Sequence, residues 1–584
     1  MTEKRIKISS EQLPAFDRKF FDHREVATCI GSGFIGGKAA GLVVMRDTFA
    51  EHFPAGTFER MTVNIPRFTV IATDVFDRLM QQNKLYDVAM SDASDDVIAH
   101  AFQKAELPAE MVGDLMALSQ AVHTPLAVRS SSLLEDAMYE PFAGVYETKM
   151  IPNNQASKES RFQVLVEAIK FVYASVFFRG AKQYMKALGK SQTEEKMAVI
   201  IQEVIGQRFD DRFYPHLSGV ARSYNFYPMG RAAAEDGVVE LALGLGKTIV
   251  DGGLAWSYSP CFPRLMPVVG SMGELLKTTQ TDFWTVNMGQ PPEYNPIAET
   301  EYLTSAQLER AESDGVLKNL ASTYRPQDDR LVTGIGPDGP RVMTFAPILA
   351  DNVLPLNDMV KALLRHCETV AGSEVEIEFA VTLDTSAELT AHLGFLQMRP
   401  MVVSKEQVTV ELEELESDRV LAASDKALGN GCTREIKDIV YVMPDNFEAK
   451  HTRTIARELE IINHQLTEAG RKYLLIGYGR WGSSDPWLGI PVIWSQISGS
   501  AAIIEATLPA MNVDLSQGSH FFHNLTSFKI CYIMVKHTAA PAIDWQWLEN
   551  QKEESRAQFV RHVHLDNPLT VKVDGRTGRG VILK

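Results

Sequence analysis

Cysteine is scarce in this chain of 584 residues. Cys29, Cys261, Cys367, Cys432 and Cys531 form an odd, scattered set with no Cys-x-x-Cys pair. That argues against a disulfide framework or a cysteine zinc site and matches the reduced thiols of a cytoplasmic protein. Long apolar runs are missing too. No uncharged stretch approaches the ~20 residues of a membrane span. The opening "MTEKRIKISSEQLPAF" has no apolar region of a secretory signal. Positive charge is in deficit, with 58 Lys+Arg against 74 Asp+Glu and a net charge of −16. Nucleic acid and anionic membranes as general partners are disfavoured, because phosphate backbones call for excess Lys and Arg. A small anionic ligand in a locally basic cleft stays open.

What is present alternates. Apolar runs of strand type and amphipathic helical stretches follow one another, the pattern of an α/β or α+β chain. At about 150 residues per domain the length allows three to four domains. "MAVIIQEVI" (197–205) reads as a buried strand and "LVEAIKFVYASVFF" (165–178) as a helix with an apolar face. "EVEIEFAVTL" (374–383) alternates acidic and apolar residues, and "GFLQMRPM" (394–401) reads as its hairpin partner. The acidic "VELEELESD" (410–418) reads as a linker or a linking helix. The expected organisation is an N-terminal extension (1–24), two subdomains (25–230 and 231–405) and a C-terminal α/β domain (406–584). In the last, "IKDIVYVMP" is strand-like, "HTRTIARELEIINHQLTEAG" is an amphipathic helix ending at Gly470, and "KYLLIGYG" is a strand running into a Gly-rich turn.

Three segments carry chemistry. In "GSGFIGGKAAGL" (31–42) the glycines allow backbone N–H groups to approach a phosphate, a helix start favours anions, and Lys38 adds a point charge. No Gly-Lys-Ser/Thr ends this stretch, so it is not a P-loop, and a flexible turn with a solvated lysine is the plainer alternative. In "PLAVRSSSLLEDAMYEPFAGVYET" (125–148) Arg129 ends an apolar run, where a guanidinium forks onto carboxylate or phosphate oxygens. The serines add hydroxyl donors, and Ser before Glu135 and Asp136 is also helix-capping chemistry. In "EIEFAVTLD…GFLQMRP", Glu376 and Glu378 share one strand face, and Gln397 and Arg399 share one face of the next. Carboxylate and amide oxygens suit Mg²⁺, which binds through one or two protein oxygens plus substrate phosphates. A surface cross-strand ion pair is the plainer alternative.

The order of these segments is more specific than any one. "GGKAAGL", "IPRFTVIATDVF", "VRSSSLLED…FAGVYET", "HLSGVARS", "LALGLGKTIVDGG" and "IEFAV…LQMRP" resemble the ATP-binding domain of the phosphoenolpyruvate synthase and pyruvate phosphate dikinase family over residues 25–403. The resemblance implies an ATP-grasp-type fold that clamps ATP between subdomains, with ATP and Mg²⁺ as cofactors. It implies phosphate-binding roles for Lys38 and Arg129, metal and nucleotide roles for Glu378 and Gln397, and a nucleotide role for Arg399 of the Gln-x-Arg-Pro ending. Lys247 departs from it, standing where the family has Gly-Leu-Gly-Glu.

Full-length members of that family pass phosphate through a histidine on a swivelling domain to a substrate on a TIM barrel. The roughly 180 residues beyond 403 are too few for both. A diverged swivelling domain is the expectation, from "QGSHFFHNLTSFKICYIMV" (517–535) and "LTVKVDGRTGRGVI" (569–582). That makes His520 the candidate phosphoacceptor, since imidazole is nucleophilic near neutral pH. The packed histidine beside two phenylalanines is the alternative. "GYGRWGSSDPWLGIPVIW" (477–494) resembles a binding loop at the carboxyl end of a sheet. Arg480, Trp481 and Asp485 are its candidate substrate residues, with Trp487 as a second wall; a tight structural loop with its tryptophans anchored in the core is the alternative. The expected activity is ATP-dependent phosphoryl or pyrophosphoryl transfer, with Arg129 and His520 as catalytic candidates. The acceptor, small molecule or protein, and the oligomeric state stay open. The competing readings are an ATP-grasp ligase making an acyl phosphate and an ATP-binding regulatory module.

Overall fold

The structure, a computed structural model, describes the chain except for residues 1–8, 19–25, 133–134, 136–143, 188–189, 227, 229–230, 267–270, 387, 402, 404–407, 416, 484, 486, 510–524, 526–527, 529, 540–541 and 576. His520 therefore lies outside the described residues. The fold is mixed α/β. A five-stranded sheet runs Ala27–Ile30, Phe68–Ile71, Met197–Glu203, Leu126–Ser132, Thr148–Ile151. Its first pair is parallel and the other pairs are antiparallel. Met197–Glu203 is buried along six of its seven residues, as its continuous apolar run requires. The helix Lys158–Ser175 covers this sheet with Leu165, Ile169 and Val172, each fully buried. Each such side chain contributes about 1.5–3 kcal/mol.

A six-stranded sheet faces it, in the order Trp256–Tyr258, Val238–Ala242, Leu217–Arg222, Val375–Asp384, Thr390–Pro400, Met61–Asn64. The hairpin read from sequence forms, with Glu376 opposite Arg399 and Glu378 opposite Gln397. Because Met61–Asn64 and Leu217–Arg222 join this sheet, its strands come from both sides of residue 230. The two lobes interleave along the chain. The helix Gly36–His52 ties them together. Its Phe49 packs edge-on against Phe395 of the hairpin, 5.1 Å between centroids.

Beyond residue 419 a third sheet has a parallel centre, Gly431–Val442, Tyr473–Tyr478, Ser500–Ala506 and Cys531–Val535. Val560–Asp574 and Arg579–Leu583 extend it antiparallel. The helix Thr452–Glu468 buries Ile455, Leu459, Ile462 and Leu466 at helical spacing. Gly470 follows in the left-handed region, φ 67°, where a glycine costs nothing sterically. This region touches the first lobe through Phe528, which stacks on Trp494 at 5.2 Å and meets Tyr184 at 5.7 Å. Arg179 adds an ion pair to Glu460 at 3.0 Å. Among the described residues no helix is long and apolar enough to cross a membrane.

Candidate nucleotide site

The Gly-rich stretch and the Arg-Ser-Ser-Ser strand build one wall together. Gly36 opens the helix Gly36–His52 at φ 76°, and a Cβ there would sit 1.8 Å from the Ser131 carbonyl oxygen. Only glycine allows that approach. Ser131 Oγ accepts from the Ala39 N–H at 3.1 Å and donates to the Ile35 carbonyl at 2.8 Å. Lys38 Nζ donates to Glu135 Oε1 at 2.7 Å and Ser130 Oγ at 3.1 Å. Ser132 and Glu135 bond reciprocally, Ser132 N to Glu135 Oε2 at 2.9 Å and Glu135 N to Ser132 Oγ at 3.1 Å. That is the capping pattern expected from the sequence. The three serine side chains are fully buried. The sequence reading made them donors beside Arg129, and here their hydroxyls are spent on the Gly-loop helix, Lys38 and Glu135.

Arg129 leaves the same strand and crosses to the other lobe. Its Nη1 donates to Gln202 Oε1 at 3.2 Å and to the Leu396 carbonyl at 3.0 Å. Its Nη2 donates to Gln397 Oε1 at 2.6 Å and lies 3.5 Å from Glu378 Oε2. Glu378 Oε1 is 3.3 Å from Arg399 Nη2. Arg399 also lies 3.5 Å from Glu376, which holds Arg222 at 2.7 Å, and Arg222 holds Glu240 at 2.8 Å. An alternating row of acids and bases thus runs from beneath the second sheet to the gap between the lobes. Glu376 and Arg399 are buried, so the surface ion-pair alternative fails for them.

Between the lobes lies a cleft of about 290 Å³, lined by Lys38, Arg129, Lys247, Glu378 and Arg399 among others. Four segments far apart in sequence supply these side chains. Gln397 sits just behind, buried, with its amide oxygen on Arg129. Apolar groups line another part, including Met150, Val204, Ile205, Leu303 and Leu396. Lys247 opens a one-turn helix and holds Asp251 at 3.0 Å and Glu299 at 3.1 Å. Burial alone would lower the ammonium's pKa, but these two carboxylates outweigh it and raise it. Beside it Glu147 is pushed up to about 7, by burial first and by Glu299 second, with Lys247 opposing. Behind Ser132, burial pushes Glu195 up to about 8.

The C-terminal candidates do not converge. Arg480 donates to the Gly252 carbonyl at 3.1 Å, one residue past the cleft-lining Asp251. Trp481 is fully buried with its indole N–H on Ile504, 3.3 Å from the carbonyl oxygen, so the ring anchors the turn rather than walling a ligand. Asp485 is exposed and accepts from the Trp487 N–H within its own turn at 2.9 Å, and Trp487 is 71% exposed. Sequence reasoning missed Glu147, Gln202, Asp251 and Glu299. Glu147 and Asp251 stand inside the quoted segments "FAGVYET" and "GLGKTIVDGG", but as single acids with no pattern of their own.

Glu378 and Gln397 fit a divalent cation in kind. Both carry hard oxygens at paired strand positions, Glu378 lining the cleft and Gln397 just behind it. Among the described residues no group of three or more His, Cys, Asp or Glu is placed to hold a metal alone. A pair of protein oxygens completed by phosphate oxygens is the Mg²⁺ pattern.

A partly apolar cleft between two lobes, ringed by cations from distant segments, is the kind of concave site that takes a small anionic ligand. Residues 32–419 match the family described as pyruvate phosphate dikinase, AMP/ATP-binding domain, and the chain belongs to that family. The chain is also similar to a protein of Bacillus subtilis (strain 168) named "Uncharacterized phosphotransferase YvkC", 27% identical over 188 residues. That match covers 32% of this chain and 20% of the relative, so the chain spans about a fifth of the length of this curated relative.

Proposed function

We propose that the chain is an ATP-dependent phosphotransferase. The observation that carries this reading is the convergence of Lys38, Arg129, Glu378 and Arg399 on one cleft within the family-matching region. The base occupies the apolar end near Val204 and Leu396, and the phosphates lie toward Lys38, Arg129, Lys247 and Arg399. Glu378 and Gln397 would hold Mg²⁺, which would supply charge neutralisation at the phosphates. Arg129 and Arg399, now on Glu378 and Gln397, exchange these partners for phosphate oxygens. Catalysis of phosphoryl transfer is chiefly positioning and charge neutralisation, which this cation set supplies. A phosphoryl or pyrophosphoryl group then passes to His520, and from there to an acceptor near residues 477–494. Arg480 on the Gly252 carbonyl supports that last placement, because it brings the Gly-Trp loop to the edge of the cleft.

The test is incubation of the full chain with Mg-ATP, followed by nucleotide analysis and intact mass. The expected result is AMP together with an acid-labile adduct that His520→Ala abolishes. ADP without an adduct points instead to a simple kinase or an acyl-phosphate ligase. A chain that neither binds nor consumes Mg-ATP overturns the proposal.

A further inference from the structure

Five carboxylates line the cleft: Glu147, Glu203, Asp251, Glu299 and Glu378. Four of them hold cations. Glu378 faces Arg129 and Arg399, Glu203 accepts from Arg67 Nε at 2.6 Å, and Asp251 and Glu299 share Lys247. Among the described residues nothing pairs with the Glu147 carboxylate; its backbone N–H alone is engaged, donating to Ser175 Oγ at 3.2 Å. A base must keep its oxygens available for an incoming proton, and Glu147 is the cleft acid that does.

Its position is also distinctive. Glu147 precedes the strand Thr148–Ile151, whose Thr148 is in register with Arg129. The charged groups that face it are Glu299, Lys247 and Asp251 from the other lobe and Asp95 from the helix Asp95–Lys104. Two of these lead to the C-terminal region. Asp95 accepts from the Arg179 N–H at 2.7 Å, and Arg179 pairs with Glu460. Asp251 precedes Gly252, whose carbonyl holds Arg480. Glu147 thus lies between the phosphate-binding cations and the side from which the C-terminal region approaches.

We propose that Glu147 is a catalytic residue, the base that takes the acceptor's proton as the acceptor attacks the nucleotide. The inference rests on the phosphotransfer reading above. In this step an acceptor nitrogen or oxygen forms a bond to phosphorus. The P–O bond to the nucleotide breaks, and its electron pair leaves on the nucleotide oxygen. The acceptor's proton moves to a Glu147 oxygen and then to water. General bases work best with a pKa near the working pH, and the surroundings of Glu147 place it there.

The test follows ATP consumption by the full chain, with Mg-ATP as the sole added substrate, across pH 5.5 to 9. Wild type should show a rate that rises through an apparent pKa of about 7. Glu147→Gln should lose about 100- to 10,000-fold in the single-turnover rate of ATP consumption, with Mg-ATP affinity unchanged and the pH limb gone. Glu147→Asp, which keeps a carboxylate, should fall between. Lys247→Met removes the opposing cation and should move the limb to higher pH. Thermal melting checks that each variant folds, and if Glu147→Gln does not, Glu147→Asp and the Lys247→Met limb decide. A folded Glu147→Gln that keeps the wild-type rate or pH limb overturns the proposal and leaves phosphotransfer standing. A wild type that neither binds nor consumes Mg-ATP overturns both.

Discussion

Glu376→Gln is a sharp test of the charge row beneath the cleft. The Glu376 side chain has no solvent exposure and lies 2.7 Å from Arg222 and 3.5 Å from Arg399. The amide keeps the volume and removes one negative charge from the middle of the row. Arg222, 4% exposed at its side chain, is then left with Glu240, and Arg399 with Glu378. Breaking a buried pair by deleting one partner costs about 3–5 kcal/mol, and the surviving acids place this case near 3. At about 2–4 °C per kcal/mol for a unit of 150–250 residues, the melting temperature should fall by roughly 6–12 °C. Differential scanning calorimetry at low and high salt is the assay. Because screening acts on exposed charges, added salt should not restore the loss. A drop under about 1 kcal/mol would mean that Glu376 is worth no more than a surface ion pair.

Gly36→Ala should cost more than about 1 kcal/mol, since it adds left-handed strain to a Cβ placed 1.8 Å from the Ser131 oxygen. Mg-ATP affinity should fall with it as Lys38 is displaced, and urea unfolding with calorimetry measures both. Asp438→Asn probes the C-terminal region. Burial would raise that carboxyl, but hydrogen bonds from His562, Arg471 and His564 outweigh it and hold it well below the usual carboxylate range. A depressed folded pKa means the stabilisation is present above the unfolded value of about 3.9 and is lost as pH falls through the folded one. The variant should therefore melt lower at pH 7 and show a flatter acid limb, read by melting temperatures from pH 7 to pH 2.5.

Legibility from sequence followed local periodicity. The hairpin, with Glu376 and Glu378 on one face and Gln397 and Arg399 on one face of the next strand, was readable because side chains on strands alternate, and Gly36 with Lys38 because a Gly-rich turn into a helix is a local pattern. Arg222 and Glu240, which complete the charge row, belong to strands 154 and 18 residues from their partners, and no local pattern joins them. Glu147 was invisible as a base because its distinction is the missing cation, which only three-dimensional surroundings reveal. The Gly-Trp loop left two readings open, a binding wall and a tight turn with anchored tryptophans. Three tryptophans among glycines look like a binding wall, but Trp481 is used as an anchor beneath the turn, while Arg480 reaches the edge of the cleft.

The proposed phosphotransfer requires Mg-ATP to occupy the cleft against Arg129. Isothermal titration of Mg-ATP into wild type and Arg129→Met tests it most directly. A hydrogen bond to a charged group is worth about 1.5–3 kcal/mol, so the account predicts one site in wild type and affinity weakened about 10- to 150-fold in the variant. Equal affinity in the two proteins, both folded by melting, would contradict it.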